Sequence, residues 1–143
     1  MNFLHLQFNG KKFSLPFSFL LNLLKNDAMN IEDLRDYCLI KKGVTEGFPF
    51  DQSTLVFKVA GKMFLLTDLT DAFSITVKCD PDKAPGLREK YPCVTPGYHM
   101  NKKYWNTVNI NGSIGDELIL EWIDDSYRLV VGSLPVKERK SFL

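Results

Sequence analysis

Residues 94–108, with the sequence VTPGYHMNKKYWNTV, combine aromatic rings, lysines and amides without the apolar spacing of a helix face. Pro96 and Gly97 predict a turn, because proline fixes φ at about −65° and glycine accepts a positive φ. The side chains of this stretch that could contact a ligand are Tyr98, His99, Asn101, Lys102, Lys103, Tyr104, Trp105 and Asn106. Together they offer hydrogen-bond donors, positive charge and aromatic planes, which suits recognition. The alternative is that the aromatic rings anchor a core edge while the lysines are only solvated.

A β-hairpin is predicted upstream of this stretch. Residues 54–59 and 63–66 are strand-like and are joined by Ala60 and Gly61, which favour a tight turn. Lys58 and Lys62 flank that turn. They could contact phosphates, or they could protect an exposed hairpin from pairing with another chain.

Two further strands are predicted from alternation. Residues 73–79 place Phe73, Ile75, Val77 and Cys79 on one side and Ser74, Thr76 and Lys78 on the other. This pattern predicts a sheet with one buried face and one face open to solvent. Residues 104–110 also alternate, and an extended chain would put Lys103, Trp105, Thr107 and Asn109 together on the open face, with Lys102 pointing away.

Helices are predicted at three places. Asn30 can cap a helix that begins at Ile31. A second helix has a start signal at Asp80 and Pro81, but Pro85 and Gly86 disfavour a helix interior, so we expect this helix to be kinked or to begin late, near Pro85. The third has an apolar stripe that should cover the sheet, formed by Leu118, Ile119, Trp122, Ile123, Tyr127 and Val130. The fold class is therefore α+β, a two-layer sandwich in which helices pack on one face of an antiparallel sheet, in the approximate order α-β-β-β-α-β-α.

Four sequence motifs carry a resemblance to a known family. The segment PGYHMNKKYWNTV, the upstream FKVAGKMF and KCDP, and the downstream SYRLVV occur in order, and the chain resembles the MmcQ/YjbR family from about Met29 to Arg139. The resemblance implies a compact domain like the CyaY and secretion-chaperone folds. It also implies DNA binding, since members of the family are usually labelled as DNA-binding proteins.

Charge and length limit these expectations. A chain of 143 residues suits one globular domain. Three lysines and one aspartate precede Met29, which leaves 15 basic and 16 acidic side chains in the remainder. Because that remainder is not basic overall, nucleic-acid binding would depend on a local patch.

Residues 1–28 differ in composition from the rest and lie outside the resemblance. We interpret them as an extra segment upstream of a natural start at Met29, followed by a single domain over residues 29–143. The alternative is an export signal with Lys11 and Lys12 before an apolar run from Phe13 to Leu24. Pro16 and Asn22 interrupt that run, and it is too short to span a membrane. We therefore expect a cytoplasmic protein without membrane association.

Catalytic motifs are missing from the sequence: it contains no glycine-rich phosphate loop, nucleophile elbow or HExxH. Cys38, Cys79 and Cys93 form no CxxC pair, and Cys79 is expected to be a buried core residue. Cys93 and His99 could be two metal ligands, but no further ligands are evident. We therefore expect a protein that is not an enzyme and has no cofactor and no metal.

Two functions remain. In the first, the chain binds DNA: lysines neutralise phosphates, amides donate hydrogen bonds, and Trp105 or Tyr98 stacks on bases. The candidate contact residues are Lys58, Lys62, Lys78, Tyr98, His99, Asn101, Lys102, Lys103, Trp105 and Asn106. In the second, the same aromatic stretch anchors a peptide or another protein chain. Salt should weaken the first kind of binding steeply and the second little.

Overall fold

The computed structural model describes residues 3–8, 10–16 and 28–142. The chain divides into two compact units, residues 1–41 and 42–143. The sequence-based boundary at Met29 stays a prediction.

The first unit contains a hairpin and a helix. Strands β1 (Phe3–Phe8) and β2 (Lys11–Pro16) pair antiparallel around Gly10, whose φ of 75° suits glycine. The sequence analysis predicts no strands there, and part of its apolar run, residues 17–24, lies outside the described residues. Helix α1 (Ile31–Leu39) contacts β2 and is capped as predicted, since the Asn30 side chain accepts from the Asp33 N–H at 2.9 Å.

The second unit is built on a six-stranded antiparallel sheet in the order β3-β4-β5-β6-β8-β7. Its strands are β3 (Val44–Gly47), β4 (Thr54–Val59), β5 (Lys62–Asp68), β6 (Ser74–Lys78), β7 (Val94–Pro96) and β8 (Trp105–Asn109). The predicted β4–β5 hairpin is confirmed. Its turn residues Ala60 and Gly61 both have positive φ, which suits the primed turns typical of two-residue hairpins.

Three α-helices belong to the second unit: α2 (Ala84–Lys90), α3 (Asp116–Gly132) and α4 (Val136–Arg139), which a 3₁₀ turn follows at Lys140–Phe142. Helix α2 begins one residue before Pro85, which confirms the predicted late start. Helix α3 contacts β4, β5 and β6, while α2 contacts β7 and β8. No helix in the described part of the chain is long and apolar enough to cross a membrane.

Ser126 ties α3 to the sheet. Its hydroxyl donates to the Phe64 carbonyl at 2.5 Å and accepts from the Lys78 N–H at 2.8 Å. Phe64 lies at a bulge where the register between β4 and β5 shifts, and its ring meets Tyr127 edge-on at 5.5 Å. The hydroxyl therefore gives a hydrogen-bond partner to the Phe64 carbonyl at the bulge and to the Lys78 N–H at the end of β6.

The α+β class and the two-layer arrangement are confirmed. The apolar stripe of α3 covers the sheet as predicted, with Ile119, Trp122, Ile123 and Val130 all buried. Two short edge strands, β3 and β7, were not predicted. Cys79 is half-buried and follows β6 rather than lying inside it, so the prediction of a buried core thiol is wrong.

Candidate functional site

The sheet register brings five of the predicted lysines to one end of the sheet. Lys58 pairs with Met63 beside the β4–β5 turn, and Lys62 begins β5. Lys78 ends β6 and pairs with Trp105, the first residue of β8, while Lys102 and Lys103 lie in the turn just before it. We call this set the basic end, defined by Lys58, Lys62, Lys78, Lys102 and Lys103.

None of these five lysines forms an ion pair with a residue in the described part of the chain. Lys62, Lys102 and Lys103 are exposed, and Lys58 and Lys78 are half-buried. Asp80 and Asp82 follow β6 at the same end, in the loop that leads to Lys83 and α2. The lysine charges are thus available to an external anion.

Three aspartates lie at the opposite end of the sheet. Asp51 precedes β4, Asp68 ends β5 and pairs with Thr54, and Asp71 precedes β6. The seven residues of β5 that separate the two ends span ~20 Å at the usual rise of a strand. Since that exceeds the Debye length of about 8 Å at physiological salt, each end attracts its own class of ligand.

Residues 97–104 fold back onto β8 instead of continuing as a strand. Gly97 donates its N–H to the Trp105 carbonyl at 2.8 Å, and Tyr98 donates its N–H to Thr107 Oγ1 at 3.0 Å. The Asn101 carbonyl accepts from the N–H groups of Tyr104 and Trp105. A Cβ on Gly97 would lie 2.6 Å from the Trp105 Cβ, so only glycine fits this close approach.

Arg88 is a residue that sequence reasoning missed. Its Nε donates to Asn106 Oδ1 at 2.6 Å, and its Nη2 donates to the Lys102 carbonyl. One guanidinium therefore joins α2, β8 and the lysine turn. No local pattern could have indicated this, because its partners lie 18 and 14 positions further along the chain.

Three residues of the recognition stretch are not placed as the sequence predicted. Trp105 is only 8% exposed and Asn106 only 2%, so neither side chain is presented to DNA or to a partner in this structure. Both are covered because β8 lies between β6 and β7, and Asn106 also bonds to Arg88 and to the Ala84 carbonyl. Lys103 lies in a turn, so strand alternation does not separate it from Lys102.

The open face of the sheet carries a cavity of about 560 Å³, which we call the open-face cavity. Tyr98, His99 and Met100 line one side, and Phe50 and the three aspartates line others. Tyr98 is 70% exposed and its ring lies 3.9 Å from that of His99, which has a φ of 58°. The cavity thus contains Tyr98 and His99 but none of the five lysines.

A row of threonines forms the floor of the open-face cavity. Thr95 pairs with Thr107 across β7 and β8, and Thr107 pairs with Thr76 across β8 and β6. The hydroxyls of Thr76 and Thr107 lie 2.8 Å apart and are buried. The predicted wet face is therefore polar but partly enclosed.

A second cavity of about 460 Å³ lies on the helix side, between α2, α3 and the sheet. Its apolar walls are formed by Val77, Val108, Leu87 and Trp122. Cys79 also lines this cavity, together with charged residues. Burial, and then the carboxylates of Asp80 and Asp125, raise the pKa of the Cys79 thiol. The thiol is therefore protonated at neutral pH and is a poor nucleophile or metal ligand.

Cys93 and His99, the two residues considered as metal ligands, lie in different environments. Cys93 is buried before β7, whereas His99 is exposed and lies against Tyr98. Within the described ranges, no three His, Cys, Asp or Glu side chains lie close enough together to hold a metal ion.

Comparison with known proteins shows relatives that match most of the chain. Residues 39–129 match the YjbR family. The chain is 32% identical over 113 residues to YjbR of Escherichia coli K12, covering 78% of this chain and 96% of that protein. It is 39% identical over 94 residues to YbdF of an O157 strain of Escherichia coli, covering 65% and 77%.

Solved structures share the fold. A Deinococcus radiodurans protein superposes with a TM-score of 0.76 at 38% identity, covering 80% of this chain and 88% of that one. A Pseudomonas syringae protein superposes with a TM-score of 0.62 at 29% identity, covering 71% and 98%. The matched range runs from the end of α1 through most of α3, so it includes the sheet, the basic end and the open-face cavity. On this sequence and structural evidence, the chain belongs to the YjbR family.

Proposed function

We propose that this protein binds the phosphate backbone of DNA through its basic end and performs no catalysis. The observation that supports the proposal is the convergence of Lys58, Lys62, Lys78, Lys102 and Lys103 at one end of the sheet without ion-pair partners among the described residues. Lysines that meet a phosphate release condensed counterions, which provides affinity independent of base sequence.

The geometry favours backbone contact over base reading. Trp105 and Asn106, the residues best suited to stacking and amide readout, are buried. The Asn101 side-chain oxygen already accepts from the Lys103 N–H at 2.9 Å, which holds the lysine turn. Base specificity needs groups that reach groove edges, whereas lysines that contact phosphates supply only positioning and charge. We therefore infer binding with little sequence preference.

Arg88 supports this function indirectly. By donating to the Lys102 carbonyl it fixes the backbone of the lysine turn against α2 and β8. A fixed turn lets Lys102 and Lys103 meet neighbouring phosphates with less loss of conformational entropy.

The test is fluorescence anisotropy of a labelled random-sequence DNA duplex, titrated with the full chain at several salt concentrations. The variant Lys62→Gln/Lys102→Gln/Lys103→Gln should bind more weakly, and its slope of log affinity against log salt should fall by about 0.9 for each lost phosphate contact. A matched control, Lys137→Gln/Lys140→Gln, removes exposed charge near the carboxyl end of the chain and should leave the slope unchanged.

Two outcomes would overturn the proposal. One is a parent protein that does not bind the duplex at low salt. The other is a correctly folded triple variant with the affinity and the salt slope of the parent.

A further inference from the structure

The floor of the open-face cavity contains a hydroxyl proton without an acceptor. Thr76 and Thr107, 8% and 9% exposed, share one hydrogen bond, and Thr107 Oγ1 also accepts from the Tyr98 N–H. Two hydroxyls have two protons, but only one of them lies between the two oxygens. The other finds no acceptor among the residues that the structure describes. Since both threonines line the cavity, this proton is available to a ligand that brings an acceptor.

The rim of the same cavity is negative. Asp51, Asp68 and Asp71 line it, and its lining contains no lysine or arginine. Backbone hydrogen bonds from Thr54 and Ser53 lower the pKa of the Asp51 carboxyl, which keeps it ionised. Asp68 Oδ1 accepts from the N–H and the hydroxyl of Thr70, at 2.9 and 2.8 Å. Carboxylates held in this way repel phosphates and attract cations.

Aromatic side chains are exposed at this rim. Phe50 is 62% exposed and Tyr98 is 70% exposed, and both line the cavity. Exposed rings beside a concave polar surface are typical of binding sites, and their faces attract cations. One kind of ligand would suit all three features: it would bring a cation to the aromatic rings and carboxylates, and an acceptor to the threonine hydroxyl proton.

We propose that the open-face cavity binds a small organic cation that has a guanidinium or ammonium group and a neutral carbonyl group. The carboxylates of Asp68 and Asp71 accept hydrogen bonds from the cationic group, and the rings of Phe50 and Tyr98 cover it. The carbonyl oxygen accepts the unshared hydroxyl proton of the Thr76–Thr107 pair. The volume of about 560 Å³ lies in the range of small-molecule sites. This site does not depend on the basic end.

The first experiment is isothermal titration of the full chain with N-acetyl-argininamide and with N-acetyl-citrullinamide, a neutral compound of nearly the same shape. The arginine compound should bind at least about tenfold more tightly, because only it forms charge-assisted hydrogen bonds with the aspartates. Equal binding of the two compounds, or no binding of the arginine compound at millimolar concentration, would overturn the proposal.

The second experiment uses the variant Asp68→Asn/Asp71→Asn. Asparagine keeps the side-chain oxygen that accepts from Thr70 and from the Ala72 N–H, so the local turns persist. This variant should lose about tenfold in affinity or more for N-acetyl-argininamide. Asp80→Asn/Asp82→Asn, which removes the same number of charges at the other end of the sheet, should bind like the parent.

A double variant that melts like the parent and still binds N-acetyl-argininamide equally well would refute the site. The triple lysine variant described above should bind this compound normally. Failure of DNA binding and failure of cation binding are therefore separate results.

Discussion

Arg88 donates from Nε to Asn106 Oδ1 at 2.6 Å, and this bond joins helix α2 to a buried amide near the start of β8. The amide in turn donates weakly to the Ala84 carbonyl at the start of the same helix. The position of α2 on the sheet is therefore set by a polar contact as well as by apolar packing.

Arg88→Met should destabilise the protein by about 1 to 3 kcal/mol, because it leaves a buried amide oxygen without a donor. Urea unfolding provides the measurement. Arg128→Met serves as the comparison: Arg128 is 54% exposed and pairs with Asp124 and Asp125, so its loss should cost less than about 1 kcal/mol. Similar losses for the two variants would contradict the role assigned to Arg88.

Gly97→Ala should be destabilising, by about 1 to 3 kcal/mol, because the new methyl group would lie 2.6 Å from the Trp105 Cβ and 2.9 Å from its carbonyl oxygen. Gly86→Ala is the matched control. No atom lies within 4 Å of its Cβ position, and it sits inside α2, so alanine there should stabilise the protein by about 0.4 to 1 kcal/mol. Thermal melts of both variants test this prediction. Equal melting temperatures would contradict the close approach between Gly97 and Trp105.

Trp122→Ala should cost about 3 to 5 kcal/mol of unfolding free energy. The indole is 8% exposed, and its ring meets Tyr91 edge-on at 5.3 Å. Leu129→Ala, on the same helix but 36% exposed, should change stability by less than about 1 kcal/mol. A loss below about 1 kcal/mol for Trp122→Ala in urea would mean that α3 does not cover the sheet in this way.

Alkylation of Cys79 by iodoacetamide should be slow at neutral pH. Its pKa is raised by burial and by nearby carboxylates, so the thiolate fraction falls below that of a free thiol with a pKa of about 8.5. The rate should rise only as pH passes above that value, and Cys79→Ser should remove this pH-dependent component. An alkylation rate at pH 7 equal to that of a small free thiol would disprove the raised pKa of Cys79.

The elements that the sequence predicted are those with a local signal. Asn30 sits at the start of a helical pattern, β6 alternates over its whole length, and α3 repeats its apolar residues at helical spacing. Strands β3 and β7 comprise four and three residues, which is too short for periodicity to distinguish them from loops.

The candidate site was predicted in part. Alternation indicated which side chains share a face, but the burial of Trp105 and Asn106 depends on Gly97, Arg88 and two neighbouring strands that are distant in sequence. That Lys58, Lys62 and Lys78 lie at the same end of the sheet could also be predicted only from knowledge of how the strands pair. Long-range pairing of this kind leaves no periodic signal in a single sequence.

The separation of charge along β5 has a consequence for the protein in concentrated solution. One end of the sheet presents the lysines of the basic end and the other presents Asp51, Asp68 and Asp71. Molecules that approach each other head to tail attract, although the net charge of the chain is only +1. The osmotic second virial coefficient should therefore rise when salt is added, which is the reverse of the trend for a uniformly charged protein.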